Sequence, residues 1–575
     1  GNCQAGWAIM ILAAVRPELF GPIIIAGSPL SYWAGVHGKN PMRYTGGLLG
    51  GSWLTALTSD MGGGKFDGGW LVQNFENMNP SNTLWTKQYN VYAKVDTEAP
   101  RYLEFERWWG GHVNLNAEEI QFIVDELFVG NNLAAGRIKR SDGTTVDLRN
   151  IRSPIVVFCS KGDNITPPQQ ALDWILDLYE DVDEIRSYGQ TIVYTVHETV
   201  GHLGIFVSGG VARKEHREFS DNIDLIDVLP PGLYEATFTR KAADTANADL
   251  ASGDWIMRCE QRTLDDIRAL GANSPEDERR FATAARVSEA NLALYRTFVQ
   301  PTVRAMFPPA AADWLRQFHP LRLQYELFAD ANPFMAPLAA LAQSAREQRK
   351  PAAADNPFLA GQETVSKQIV AALDAWRDTR DSFSEWLFLT VYGSPALQAA
   401  FGIDPRSERP LRKAGRSPLH RELVQQRIAE LKSQIGKGGL AECVIRGLLY
   451  VGMARGKVDE RGAEALRRAR LFDDERRLTL AQFKAMAREQ FFMLLLDPEA
   501  TLNAIPALLP ADAGERRRGF AAMRKVLAAA GDITGEAAGR LARIARLFGM
   551  DDDAAAGQNV TALPRPETAE RAKAS

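Results

Sequence analysis

Gly1-Asn2-Cys3-Gln4-Ala5-Gly6-Trp7-Ala8-Ile9-Met10-Ile11-Leu12-Ala13-Ala14-Val15 opens the chain, and Ile23-Ile24-Ile25-Ala26-Gly27-Ser28-Pro29 follows shortly after Pro17. The first stretch predicts a tight turn of small residues and then a helix apolar on nearly every face, stopped by Pro17. The second predicts a short β-branched strand closed by turn residues. A helix without a solvent face beside a continuous apolar strand belongs with a parallel sheet covered on both sides.

Outward from this unit, Ile155-Val156-Val157-Phe158-Cys159 and Thr191-Ile192-Val193-Tyr194-Thr195-Val196 read as two further buried strands, each followed by a polar loop. A helix from Gln170 to Tyr179 lies between them, which makes a βαβ unit. Residues 30–135 lack this regularity, with glycine clusters and many aromatics, and a cap insertion is expected over 37–130. From 256 to 550 the spacing of apolar residues is helical, as in Ala441 to Ala454, Leu480 to Leu496 and Gly519 to Phe548. The polar, Ala-rich tail 551–575 reads as disordered. The expected domains are 1–255 (α/β), 256–420 (helical extension) and 421–550 (helical C-terminal domain), followed by that tail.

Composition agrees with several domains, since 575 residues exceed the ~100–200 of one domain by a factor of about three or four. With 45% hydrophobic and 24% charged residues, a disordered, collagenous or multispanning membrane chain is excluded. The early apolar run, residues 5–15, is shorter than the ~18 residues of a membrane span, and no basic segment precedes it as in a signal peptide. Four cysteines stand far apart without a C-x-x-C pair, which points to a reducing, cytoplasmic setting. Net charge is -4 overall; residues 1–255 hold 20 Lys/Arg against 31 Asp/Glu, and the remainder is basic by seven charges. This mild bias, without an Arg/Lys run, argues against nucleic-acid binding.

The opening turn also carries chemistry. A nucleophile in a G-x-S/C-x-G turn between strand and helix is lifted into a cleft because small neighbours let the backbone bend sharply. Gly1-Asn2-Cys3-Gln4-Ala5 fits this pattern with Ala in place of the second Gly. A thiolate at Cys3 would sit at a helix N-terminus, which favours the reactive anion. Such a site needs an acid and then a histidine, each in a loop after a sheet strand. Asp163 follows the strand ending at Cys159, and His202 follows the strand ending at Val196, so Cys3, Asp163 and His202 occur in the required order. Plainer readings exist for each: Asp163 as a cap for the helix near Pro167, His202 as a surface-loop residue with His197 as its competitor, and Cys159 as core packing. The remaining histidines (His37, His112, His216, His319, His420) lack partners at metal-ligand spacing, and no metal or bound cofactor is expected.

These motifs resemble those of polyhydroxyalkanoate synthases, and more fully a bacterial family of synthase-like proteins of undefined function with a long helical C-terminal extension. The shared stretches are Gly1-Asn2-Cys3-Gln4-Ala5-Gly6 (the synthase box G-x-C-x-G-G), Leu127-Phe128-Val129-Gly130-Asn131-Asn132-Leu133, Val146-Asp147-Leu148-Arg149-Asn150-Ile151, Gly162-Asp163-Asn164-Ile165-Thr166-Pro167 and Gly201-His202. The resemblance to synthases covers roughly residues 1–210. It implies an α/β-hydrolase-type, mostly parallel sheet with a cap and an all-α C-terminal region, with Cys3 as acyl-carrying nucleophile, His202 as base and Asp163 as its partner. Two departures stand out. Asn164 occupies a position where synthases carry His, and Trp108-Trp109-Gly110-Gly111 is only a loose counterpart of their Trp-Asn-x-Asp-x-Thr segment.

The function expected is acyl transfer from 3-hydroxyacyl-CoA to a hydroxyl through a Cys3 thioester, with the Gln4 N–H as one oxyanion donor. A thioesterase or esterase of the same fold, and a non-catalytic scaffold using the helical region to bind partners, are the alternatives. Trp53, Trp85, Trp108 and Trp109 are expected to form an apolar acyl pocket over Cys3. A homodimer and a polymer-granule surface are the expected partners, with no transmembrane segment. Because the chain opens directly at the nucleophile turn, it reads as truncated there. The chain as given is expected to be inactive and its full-length parent active.

Overall fold

The computed structural model describes residues 1–550 except 351, 354, 409, 410, 412, 413, 416 and 472–478. The tail expected to be disordered, 551–575, lies outside the described residues.

The opening stretch forms helix α1 (Gln4–Val15), whose Met10, Ala13 and Ala14 are buried. It leads to strand β1 (Ile23–Ala26). Residues Lys65–Phe66 (β2) and Leu115–Asn116 (β3) pair as a small antiparallel ribbon inside the cap. The main sheet continues with β4 (Ile155–Ser160), β5 (Thr191–His197), β6 (Gly232–Arg240), β7 (Trp255–Gln261) and β8 (Lys457–Asp459), in the order β1-β4-β5-β6-β7-β8. β1, β4, β5 and β6 pair in parallel, and β7 pairs antiparallel with both β6 and β8. This is an α/β fold with a mostly parallel sheet and a helical C-terminal region.

Every residue of β4 is buried, as expected for a central parallel strand covered on both faces. Its side chains divide by alternation: Ile155, Val157 and Cys159 pack with α1 and Trp174 on one side. Val156 and Phe158 pack with Ile205 and Phe219 on the other. Cys159 is core, as its place in the strand predicted, with its thiol 3.5 Å from the Thr195 carbonyl. Burial raises that thiol's pKa far above the ordinary range.

Three differences from the sequence reading have physical causes. β7 spans the compositional shift near 255, and β8 recruits residues 457–459 to the same sheet. A strand edge needs backbone partners, so β7 covers β6 and β8 in turn covers β7. The stretch expected as one helix from Gln170 to Tyr179 is two short helices meeting at Asp173. The region Gly519 to Phe548 is likewise two helices, Ala513–Ala528 and Gly535–Leu547, parted at Gly531 with φ 118°.

The cap is mainly helical, and the 36-residue helix Pro357–Tyr392 lies against it. Phe388, fully buried, packs with Tyr44 and Phe281, and the Tyr392 hydroxyl donates to the Gly47 carbonyl at 2.6 Å. Gly47 permits this contact: a Cβ there would stand 2.4 Å from the Phe388 ring. No helix among the described residues is long and apolar enough to cross a membrane.

Candidate active site

Cys3 stands between strand pairing and helix. The Asn2 backbone bridges Ala26 of β1 in parallel. Cys3 N–H donates to the Ala26 carbonyl at 2.9 Å and Ala26 N–H to the Gly1 carbonyl at 3.0 Å. One residue later α1 begins, and Cys3 takes up φ 50° and ψ -125°. A non-glycine residue is rarely found there, and such strain persists only where the surroundings over-determine it.

The small residues around Cys3 have separate reasons. A Cβ on Gly6 would lie 2.0 Å from the Ser28 hydroxyl, and one on Gly1 would lie 2.5 Å from Ile9 Cδ1. The approach at Gly6, where Ser28 Cβ also stands 2.3 Å away, demands glycine, whereas Ile9 Cδ1 is the end of a flexible side chain that can give way. Ala5 is exposed, so the methyl that departs from the synthase box has open space. The Ala5 and Gly6 N–H groups turn back to the Asn2 and Cys3 carbonyls. Gln4, the first helical residue, has no carbonyl four residues back within the helix, which leaves its N–H suited to a developing oxyanion. The Gln4 side chain is engaged otherwise, accepting from Trp7 Nε1 at 2.6 Å.

The loops after β4 and β5 bring in the other two residues. Ser160 Oγ donates to the Val200 carbonyl at 2.6 Å, Lys161 N–H donates to the His197 carbonyl at 2.9 Å, and a Cβ on Gly162 would fall 2.3 Å from the Thr199 carbonyl oxygen. Zipped together in this way, the loops set Asp163 Oδ2 2.7 Å from His202 Nδ1. Asp163 Oδ1 accepts from the N–H groups of Ile165 and Thr166 at 2.9 and 2.8 Å. Asp163 therefore braces the turn ahead of helix Pro168–Leu172 and does not cap the helix, whose N-cap is Pro167 with no side-chain cap, while its other oxygen meets His202. His202 is buried. Burial disfavours charge on its ring, but hydrogen bonds and charge from Asp163 and Cys3 outweigh this and raise its pKa to about 9. With Nδ1 turned to Asp163, Nε2 is the nitrogen left for Cys3. His197, the competitor, accepts at Nδ1 from the Thr199 and Val200 N–H groups and thereby shapes the loop.

Cys3, Asp163 and His202 are thus brought together. Among the described residues no hydrogen bond or ring contact joins the four tryptophans to them, and three of the four indole N–H groups bond elsewhere. Trp53 donates to the Leu49 carbonyl and packs on Tyr295, Trp85 donates to Ser366, Trp109 donates to Glu76, and Trp108 is 60% exposed. Tyr295 and Ser366 belong to the helical extension, so packing of that layer onto the cap draws these indoles in. Asn164 is exposed beside Asp163. Two neighbours of the site went unread as such. Gly27, at φ 53°, would place a Cβ 3.3 Å from His202 Cε1, and Phe206 meets the His202 ring edge-on at 5.1 Å. The turn signal at Ala26-Gly27-Ser28 marks the first of these, and no sequence signal marks the second.

The profile of a family described as "Protein of unknown function (DUF3141)" matches residues 1–435. This chain belongs to that family. A relative from Rhizobium meliloti, named "Uncharacterized protein in ackA 5'region", is 66% identical over 96% of this chain and 76% of its own length. Part of the chain is also distantly similar to polymerase subunits. "Poly(3-hydroxyalkanoate) polymerase subunit PhaC" of Synechocystis is 25% identical over 37% of this chain and 54% of its own length. The protein of the same name in Thiocystis violacea is 22% identical over 37% and 56%. The matched part spans about half the length of those two polymerase subunits. No solved structure matches the chain.

Proposed function

We propose that this DUF3141 protein is an acyltransferase that takes a 3-hydroxyacyl group from a CoA thioester onto Cys3 and passes it to a hydroxyl. The observation that carries this reading is a strained cysteine at a strand–helix turn facing a buried His202–Asp163 pair. Support comes also from the distant similarity to poly(3-hydroxyalkanoate) polymerase subunits.

At neutral pH a histidine with a pKa near 9 is an imidazolium, which stabilises a thiolate at Cys3. The thiolate attacks the thioester carbonyl, the bond from carbonyl carbon to CoA sulfur breaks, and the departing thiolate takes the proton from His202 Nε2. Neutral His202 then accepts the proton of the incoming hydroxyl as its oxygen attacks the enzyme thioester. Loss of the Cys3 thiolate completes the exchange and restores the ion pair. Asp163 keeps Nε2 aimed at the reaction by holding Nδ1, and the Gln4 N–H faces the oxyanion formed in each step.

The test is incubation with 3-hydroxybutyryl-CoA, following CoA release and the mass of the Cys3 peptide; an adduct would also overturn the expected inactivity of the chain as given. The expected result is a 3-hydroxyacyl adduct on Cys3, lost in Cys3→Ala, with ester-linked oligomers as product. Free 3-hydroxy acid as sole product would make the chain a thioesterase. No Cys3 adduct and no CoA release would leave the scaffold reading.

A further inference from the structure

Helix Pro357–Tyr392 turns one face to the cap. Ser366 accepts from Trp85, Asp374 Oδ1 accepts from Ser81 Oγ at 2.7 Å, and Phe388 and Tyr392 are buried against Tyr44 and Gly47. Away from that face runs a second apolar row, open to solvent. Val365, Ile369, Ala372, Trp376, Phe383 and Trp386 recur at steps of four and three residues, with Thr379 as the polar member that completes the alternation. Phe358 lies one heptad before Val365 in the same row. Phe358 is 84% exposed, and Val365, Trp376, Phe383 and Trp386 are each 52–57% exposed. Among the described residues the ring contacts of these aromatics stay within the helix, with Arg380 over the Trp376 ring and Phe383 against Trp386.

The period of the row tells what fits it. A helix lying on a wide apolar surface carries a broad apolar stripe, whereas a strict repeat of four and three makes a narrow seam, matched to a second helix whose side chains enter the gaps between its own. The occupant is therefore a helix.

The seam also complements itself. Its slimmer residues, Val365, Ile369 and Ala372, stand in the N-terminal half, and its bulkiest, Trp376, Phe383 and Trp386, in the C-terminal half. Two copies run parallel would set indole against indole at one end and Ala372 against Ala372 at the other. Run antiparallel about a two-fold axis, each bulky half meets the slim half of the other copy. Gln368, Ala375 and Ser382, which border the seam on its solvent side, carry no charge, so this border sets no like charges against each other. The area suffices as well. Aromatic side chains of ~150–250 Å² each, more than half exposed, give roughly 500 Å² per copy with Phe358 and Val365 included, and two copies reach the ~1,000 Å² of a specific interface.

We propose that helix Pro357–Tyr392 joins two copies of this chain, pairing antiparallel with its counterpart along the 365–386 seam. The surface is separate from the acyl-transfer reading and does not depend on it.

The experiment is sedimentation equilibrium of the full chain, which is expected to be dimeric at about 10 µM. Trp376→Glu and Phe383→Glu are each expected to raise the dimer dissociation constant at least tenfold while leaving circular dichroism unchanged, and Ala372→Arg supplies a further block if either fails to fold. Orientation is read by pulsed EPR with a spin label on Thr364→Cys in a Cys3→Ala chain. Antiparallel pairing sets the two labels roughly 30–40 Å apart at a rise of about 1.5 Å per residue, and parallel pairing sets them side by side. A wild-type monomer at about 100 µM, whether free or floating with phosphatidylcholine vesicles, an unaltered dimer in the folded seam variants, or labels side by side would overturn the proposal.

Discussion

Asp163 divides its two carboxylate oxygens, Oδ2 lying 2.7 Å from His202 Nδ1 and Oδ1 accepting from the backbone of the turn that follows. The backbone bonds fix the carboxylate, and the fixed carboxylate sets the ring. Asp163→Asn should therefore leave the loop closed but return the His202 titration midpoint from about 9 toward the ordinary imidazole value of about 6.5. The rate of CoA release should fall by about 10⁴-fold, as when a triad acid is replaced by its amide. Imidazole NMR and a thiol assay read the two effects, and an unmoved midpoint would count against the pairing.

The same pair makes stability depend on pH. The folded-state pKa of His202, about 9, lies above the unfolded value of ~6.5. Its stabilisation is fully present below about 6.5 and is lost as pH rises through about 9. Urea denaturation of wild type and His202→Asn should show a larger gap at pH 6 than at pH 10. A gap that widened with pH would reverse the sign and reject the account.

Gly6 and Ala5 are adjacent small residues with different constraints. Gly6→Ala drives a methyl to 2.0 Å from the Ser28 hydroxyl, and overpacking of this kind costs roughly 1–3 kcal/mol. Part of the loss should return in the Gly6→Ala/Ser28→Gly double variant. Ala5→Gly, on an exposed position, should cost only the ~0.5–1 kcal/mol of helix propensity. Thermal denaturation of the set decides it, and equal losses at both positions would remove the packing argument.

Phe388 is fully buried where the long helix meets the cap. Phe388→Ala should destabilise by about 3–5 kcal/mol. The loss should be seen first as faster amide exchange in helix Pro357–Tyr392 and in the cap around Tyr44, with β4 and β5 protected. Uniform exchange across all of these would mean that cap and sheet do not open separately.

Local patterns in the sequence were enough for the turn–helix–strand unit, the two buried strands and the order of Cys3, Asp163 and His202. Continuous apolar runs have few structural alternatives, and a strand end followed by a small-residue loop is a local signal. β6 and β7 escape the apolar-run signal because nearly half of their residues are polar and the pair straddles the compositional shift at 255.

Other features were decided by tertiary structure alone. Position in the chain does not reveal which histidine Asp163 meets. His202 is selected, and His197 turned to loop building, because Ser160 and Gly162 zip two loops together across 40 residues of sequence. Trp85 went to the helical extension because the long helix folds back onto the cap, so that Ser366 reaches it from 281 residues away, whereas Trp109 bonds to Glu76 close by in sequence. Apolar periodicity tells a residue to be buried. Which surface buries it depends on contacts between segments distant in sequence, and these exist only once the chain has folded.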